Sequence, residues 1–163
     1  GRRSDFCHQL PEGALGLSAP TTLREQLLRD EGVRLKPYTD SVGKLTLGAG
    51  RNLTDKGISL AEAEMLLTND ITEAAAEVSA ELPWTITGLD EVRREVLVNM
   101  AFNCGIGNTK HGTGLLGFKN FLAALQTKRY DKAARDMMDS RWAHQVGPRA
   151  HRLAAQIRSG ERQ

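Results

Sequence analysis

Residues 30–50 read DEGVRLKPYTDSVGKLTLGAG, and the change of period inside this stretch decides the fold. Up to Glu31 the chain repeats apolar residues at helical spacing. Beyond Gly32 it breaks into short alternating segments punctuated by Gly43, Gly48 and Gly50, the pattern of a helix followed by a hairpin. Three residues with chemical capacity fall on this join. Glu31 ends the helix, Asp40 follows after eight intervening residues, and Thr46 after five more. Cleaving a glycosidic bond needs a protonated acid beside the leaving oxygen and often a second group that handles a water, and carboxylates on different elements can flank a sugar.

The two acids are expected to differ. The carbonyl end of the helix disfavours negative charge on Glu31, which suits a protonated general acid. Asp40 is placed at a polar strand end where solvent keeps it ionised, and Thr46 lies across the turn with a hydroxyl able to hold a water.

Set in EG-x-R-L-x-x-Y-x-D-x-x-G-x-x-T-x-G-x-G, these residues resemble the active-site signature of phage-type lysozymes, the endolysins of T-even bacteriophages and their relatives. The resemblance resumes in LDEVRREVLVNMAFNCGIG, GFKNFLAALQTKRYDKAA and SRWAHQVGPRAHRLAAQIRSG, so it covers roughly residues 21 to 160. It implies a mostly helical α+β fold of two lobes, a small sheet lobe at 21–59, a connecting helix at 60–82 and a helical lobe at 83–163, with a hinge that opens and closes a cleft. It implies hydrolysis, without a cofactor, of the β-1,4 bond between N-acetylmuramic acid and N-acetylglucosamine in peptidoglycan. Glu31 would protonate the leaving oxygen while Asp40 and Thr46 position water or stabilise the positive centre, and the family suggests inversion at the anomeric carbon. Phe102 and Asn103 match a Phe-Gln pair at the cleft wall and are carried as sugar contacts, Asn for Gln being a departure; Phe102 is alternatively core. Arg149 matches an arginine that pairs with the catalytic glutamate, and Val146 nearby replaces a threonine. Arg51 stands where the T-even enzyme has a histidine and is expected to pair with Asp70.

The 163 residues are enough for one domain, or one domain of two lobes, that buries about 70% of the surface its unfolded chain exposes. With 40% apolar and 26% charged residues the composition is that of a soluble globular protein, and no apolar run approaches the ~20 residues of a membrane span. Residues 1–20 lie outside the family pattern and are read as an extension, since LPEGALGLSAP is too broken by Pro, Glu and Gly to be a signal core. Cys7 and Cys104 are too few for a disulfide framework, and Cys104 is expected to be a buried free thiol. His8, His111, His144 and His151 lack ligand spacing, so no metal site is expected.

A capping box, Thr22 with Glu25, opens the first helix, with Leu23, Leu27 and Leu28 as its apolar stripe. Tyr38, Leu45 and Leu47 are expected to point inward from the strands, and Pro37 suits an edge strand. Ser59 and Glu62 form a second box before a helix ending near Leu82, with Ala63, Leu67, Ile71, Ala74, Val78 and Leu82 as one buried stripe. Further helical stripes are Leu89, Val92, Val96 and Met100 after a Thr87 cap; Phe118, Leu122 and Leu125; Ala133, Ala134, Met137 and Met138; and Leu153, Ala154 and Ile157. The glycine-rich stretch at 105–117 is longer than in the T-even enzyme and is expected to be a flexible loop, either a lid or a surface insertion.

Charge is uneven. Residues 1–88 hold 9 Lys or Arg against 13 Asp or Glu, and residues 89–163 hold 13 against 7. A basic C-terminal half suits electrostatic contact with an anionic envelope surface. Nucleic acid is not expected, since no DNA-binding motif is present. The expected partner is the peptidoglycan glycan strand, and the chain is expected to be a monomer made in the host bacterial cytoplasm and released to the wall. The alternatives are a lysozyme module of a virion-associated or bacteriocin protein, a lytic transglycosylase using Glu31 alone, and a non-catalytic wall-binding module.

Overall fold

The computed structural model describes residues 22–163, so the extension at 1–20 and Cys7 lie outside the described residues. The described residues divide into two compact units, one ending at Ser59 and the other Leu60–Gln163. Its class is α+β and mostly helical, with a small antiparallel sheet.

The first unit begins with α1 (Leu23–Glu31), started by the expected capping box: the Thr22 hydroxyl accepts from the Glu25 N–H and the Glu25 carboxylate accepts from the Thr22 N–H. Gly32, at φ 68°, ends it, leaving Glu31 as the last helical residue. The stripe expected to be buried is not. No residue of α1 is buried, and Leu23 and Leu27 stand exposed along an open groove instead of in a core.

Three strands follow, β1 (Arg34–Thr39), β2 (Leu45–Gly48) and β3 (Arg51–Asn52), in the order β1-β2-β3. Pro37 lies in edge strand β1, where a bulge between Arg34 and Tyr38 absorbs its missing N–H. The register corrects the inward set. Tyr38 pairs across the sheet with Thr46, and Thr46 with Asn52, so these three share a face and Leu45 points away from it. Thr46 is accordingly 3% exposed and Leu45 45% exposed.

The second unit opens with α2 (Leu60–Glu81), which starts directly after Ser59 and stops before Leu82-Pro83. Only the C-terminal half of its expected stripe is buried. Ala74, Val78 and Leu82 pack into the core, while Leu67 and Ile71 remain exposed, because α4 meets only a portion of the longer helix's apolar side. A short turn of helix, α3 (Thr85–Gly88), absorbs Thr87, so the cap of α4 (Glu91–Cys104) is Asp90, whose carboxylate accepts from the Arg93 N–H. The helices α5 (Lys119–Gln126), α6 (Tyr130–Met138), α7 (Arg141–Val146) and α8 (Pro148–Ser159) complete the unit. Val96, Leu97, Met100, Phe121, Leu125, Ala133, Ala134, Met137 and Ile157 form its dry centre, so the later stripes fall where their periods put them.

Arg93 ties three of these helices. Its guanidinium lies 3.6 Å from the Tyr130 ring centroid, bonds Asp90, and donates to the carbonyls of Ile157 and Arg158 at the end of α8. The stretch at 105–117, read as a flexible loop, is exposed from Gly107 to Thr113 and bonded back on itself. Asn108 and Thr113 bond each other as a short bridge, and Leu115 and Leu116 are buried behind it. Gly107 and Gly114 approach so closely that a Cβ on Gly107 would sit 1.9 Å from the Thr113 carbonyl oxygen. The glycines here permit close backbone contact.

Candidate active site

Glu31, Asp40 and Thr46 all belong to the first unit, and each is placed by a local rule. Glu31 ends α1 because Gly32 turns the chain, and its carboxylate comes to rest against Gly50, where an added Cβ would lie 3.5 Å from Oε2. Gly50 has φ 78°, a conformation that leaves the carboxylate uncovered by a side chain. Leu23, Arg24, Leu27, Leu28, Ala49 and Gly50 line with Glu31 an open groove of about 600 Å³, which includes neither Asp40 nor Thr46.

Asp40 closes the β1–β2 turn. Its Oδ1 accepts from the N–H groups of Val42 at 3.0 Å and Lys44 at 2.8 Å, and its own N–H donates to the Lys44 carbonyl at 2.9 Å. The Lys44 N–H, with help from Val42, the Thr46 hydroxyl and the Lys44 charge, holds the Asp40 carboxyl below the ordinary carboxylate range. Its Oδ2 is left with a single long contact, 3.4 Å to Thr46 Oγ1. That hydroxyl also lies 3.2 Å from the Lys44 carbonyl, and its one proton can serve only one of the two acceptors at a time. The arrangement can therefore keep one carboxylate ionised, with one oxygen saturated by backbone and the other open beside a hydroxyl.

Phe102, Asn103 and Arg149 belong to the second unit. Phe102 is 44% exposed, which removes the core reading. Asn103 is exposed and its Oδ1 accepts from the Trp142 indole N–H at 2.7 Å; since an indole N–H only donates, the amide orientation is fixed and Nδ2 faces outward. Arg149, at the start of α8 beside Pro148, donates through Nε to Asn99 Oδ1 at 2.8 Å and through Nη2 to the Asn99 carbonyl at 3.0 Å. Sequence reasoning passed over Asn99 and Trp142. The signal was there: Asn99 and Asn103 are four apart on α4 and so share a face, and both of their partners lie in RWAHQVGPR.

Arg51 donates to the Gly57 carbonyl within its own unit, and Asp70 lies on α2 in the other. Cys104 is half-buried and unpaired, less enclosed than expected because it ends α4. Its Sγ donates to the Met100 carbonyl, and burial pushes the thiol up against the opposing charge of Arg149. Among the described residues no three His, Cys, Asp or Glu side chains converge as a metal would require, and no helix is long and apolar enough to cross a membrane.

Residues 29–159 match the family model described as phage lysozyme. The chain is 26% identical, over 86% of its own length and 95% of the relative's, to "Probable T4-type lysozyme 1" of Dictyostelium discoideum. It is 27% identical to "Pre-baseplate central spike protein Gp5" of Enterobacteria phage T4, over 85% of this chain and 28% of that protein. Over 51% of this chain and 50% of the relative it is 34% identical to "SAR-endolysin" of Bacteriophage PS119.

Proposed function

We propose that this chain, which belongs to the phage lysozyme family and is a glycoside hydrolase, cuts the β-1,4 bond between N-acetylmuramic acid and N-acetylglucosamine in bacterial peptidoglycan. Glu31 gives its proton to the leaving oxygen. Asp40 Oδ2, the carboxylate oxygen that backbone does not saturate, takes the proton of a water that Thr46 Oγ1 orients, and the product is inverted at the anomeric carbon. The observation that carries this reading is the asymmetry of Asp40: two backbone N–H groups secure its charge through Oδ1 and leave Oδ2 for chemistry. On the helical unit, Phe102 and the outward Asn103 amide offer a ring face and a donor that suit an N-acetyl sugar.

The biological role that fits is lysis. The similarity to an endolysin supports lysis; in this reading the enzyme is made as a monomer in the host bacterial cytoplasm and reaches the wall once the membrane is breached. A second reading, a lysozyme module carried on a virion, is supported by the similarity to a portion of a baseplate spike protein. The chemistry is the same in both.

The test is to incubate wild type and Glu31→Gln with purified peptidoglycan and identify the released fragments by mass spectrometry. Reducing muropeptides from wild type, with a rate about 10²–10⁴-fold lower for Glu31→Gln, are expected. Anhydro products would make the enzyme a lytic transglycosylase, and binding without products from either protein would leave a wall-binding module.

A further inference from the structure

We propose that Asp55 is a positioning residue for Asp40 and Thr46, acting through Lys44. The proposal rests on the roles assigned above to those two residues, and deepens them. The peptide groups of Lys44 set both side chains: its N–H donates to Asp40 Oδ1, its carbonyl accepts from the Asp40 N–H, and the same carbonyl lies 3.2 Å from Thr46 Oγ1. A displacement of Lys44 therefore moves the carboxylate and the hydroxyl together. Lys44 sits just outside β2, at the end of a turn, where the ladder alone does not hold it.

What holds it is the turn after β3. Lys44 Nζ lies 3.0 Å from Asp55 Oδ1, and Asp55 Oδ2 accepts from Asn52 Nδ2 at 2.9 Å. The Asp55 N–H returns a bond to Asn52 Oδ1 at 2.9 Å, closing a ring. Asn52 is the cross-strand partner of Thr46. Asp55 thus grips Lys44, two residues before Thr46 along the chain, and Asn52, the partner of Thr46 in β3. The same turn fixes Leu45, whose N–H donates to Thr54 Oγ1 at 2.9 Å and whose carbonyl accepts from the Leu53 N–H at 2.7 Å.

The Lys44 and Asp55 side chains are 40% and 57% exposed. Solvent screens such a pair, so its removal leaves global stability nearly unchanged. Its effect is to be read in the geometry of the reaction, where a small misplacement of a reacting group is costly.

Asp55→Ala, Lys44→Met and the double variant are compared with wild type for release of reducing ends from solubilised glycan strands across pH, with thermal melts alongside. Each single variant is expected to lose about tenfold in kcat with KM and the melting temperature unchanged. Lys44, the charged group acting on Asp40, also supplies the N–H that does most to hold its carboxyl low, so the acid limb of the kcat profile moves to higher pH in both. The double variant is expected to be no worse than the more damaging single, as for two residues in one link. Wild-type kcat and acid limb in the single variants, or losses that multiply in the double, would overturn the proposal. Asp40→Asn, run in parallel, separates the two levels. If it is inactive while the Asp55 variants behave as wild type, only the positioning role fails; if it keeps full activity, the role of Asp40 fails and the proposal with it.

Discussion

The Trp142 indole donates to Asn103 Oδ1 at 2.7 Å, joining α7 to the last turn of α4. Trp142 is buried, set edge-on to Phe118 with ring centroids 5.8 Å apart, so its N–H depends on this acceptor. Asn103→Ala is expected to destabilise the protein by about 1–3 kcal/mol, the cost of an indole N–H left without its partner. In a chain of this size that is a fall of about 2–4 °C in melting temperature for each kcal/mol. Calorimetry of the two proteins checks it, and an unchanged transition would mean that water replaces the amide.

Asp40 makes stability depend on acid pH. Its carboxyl is held below the ordinary range in the folded state, so the unfolded chain takes up the proton first as pH falls. The stabilisation is therefore whole above the unfolded carboxylate value of about 4 and is lost as pH drops through the lower folded value. Asp40→Asn should differ from wild type by a constant amount from about pH 5 to 7 and converge on it below that range. Urea melts at each pH test this, and a difference that grows toward acid would reverse the sign.

Two glycines separate conformation from close approach. Gly43, at φ 83°, has nothing within 4 Å of an added Cβ. Gly43→Ala should therefore cost about 1 kcal/mol, from backbone strain alone. Gly107 has nearly the same φ, 74°, but faces the Thr113 carbonyl. Gly107→Ala must also push two backbone segments apart, and its loss should exceed that at Gly43 by about 2 kcal/mol or more, as when a side chain is forced into occupied space. Equal losses would show that the 105–117 stretch gives way easily.

The helix-forming residues 140–160 contain four arginines, two histidines and no acid. The apolar side of α8, Ala150, Leu153, Ala154 and Ile157, is buried in the core and unavailable to a bilayer. Contact with an anionic envelope would be electrostatic only. Arg141→Glu/Arg152→Glu should weaken sedimentation with anionic walls at low salt and lose that effect near about 1 M, where the screening length is about 3 Å. A salt-independent difference would assign these residues another role.

Much of this molecule was legible in its sequence because local rules set it. The Thr22–Glu25 box and the Gly32 stop after Glu31 both depend on residues within one turn, and each falls where expected. Burial was legible only where a stripe met a partner. The Leu23–Leu28 stripe and the first half of the α2 stripe have helical period but no covering element in their own units, and period alone cannot report that. Leu45 was misplaced because alternation fixes which residues share a face and not which face is inward; the Tyr38 to Thr46 register decides it. The open oxygen of Asp40 depends on which atoms two backbone N–H groups choose, a matter of geometry that letters do not carry.

The bonds from Arg93 to the carbonyls of Ile157 and Arg158 span 64 and 65 residues. During synthesis that guanidinium can meet Asp90 and Tyr130 early, but lacks these two acceptors until α8 has been made. The join of α4 to α8 therefore forms late, since contacts distant in sequence form more slowly than the local turns of each helix. A chain stopped before Ile157 would hold the charge of Arg93 over Tyr130 with two of its acceptors missing, and should remain open to proteases that the finished protein resists.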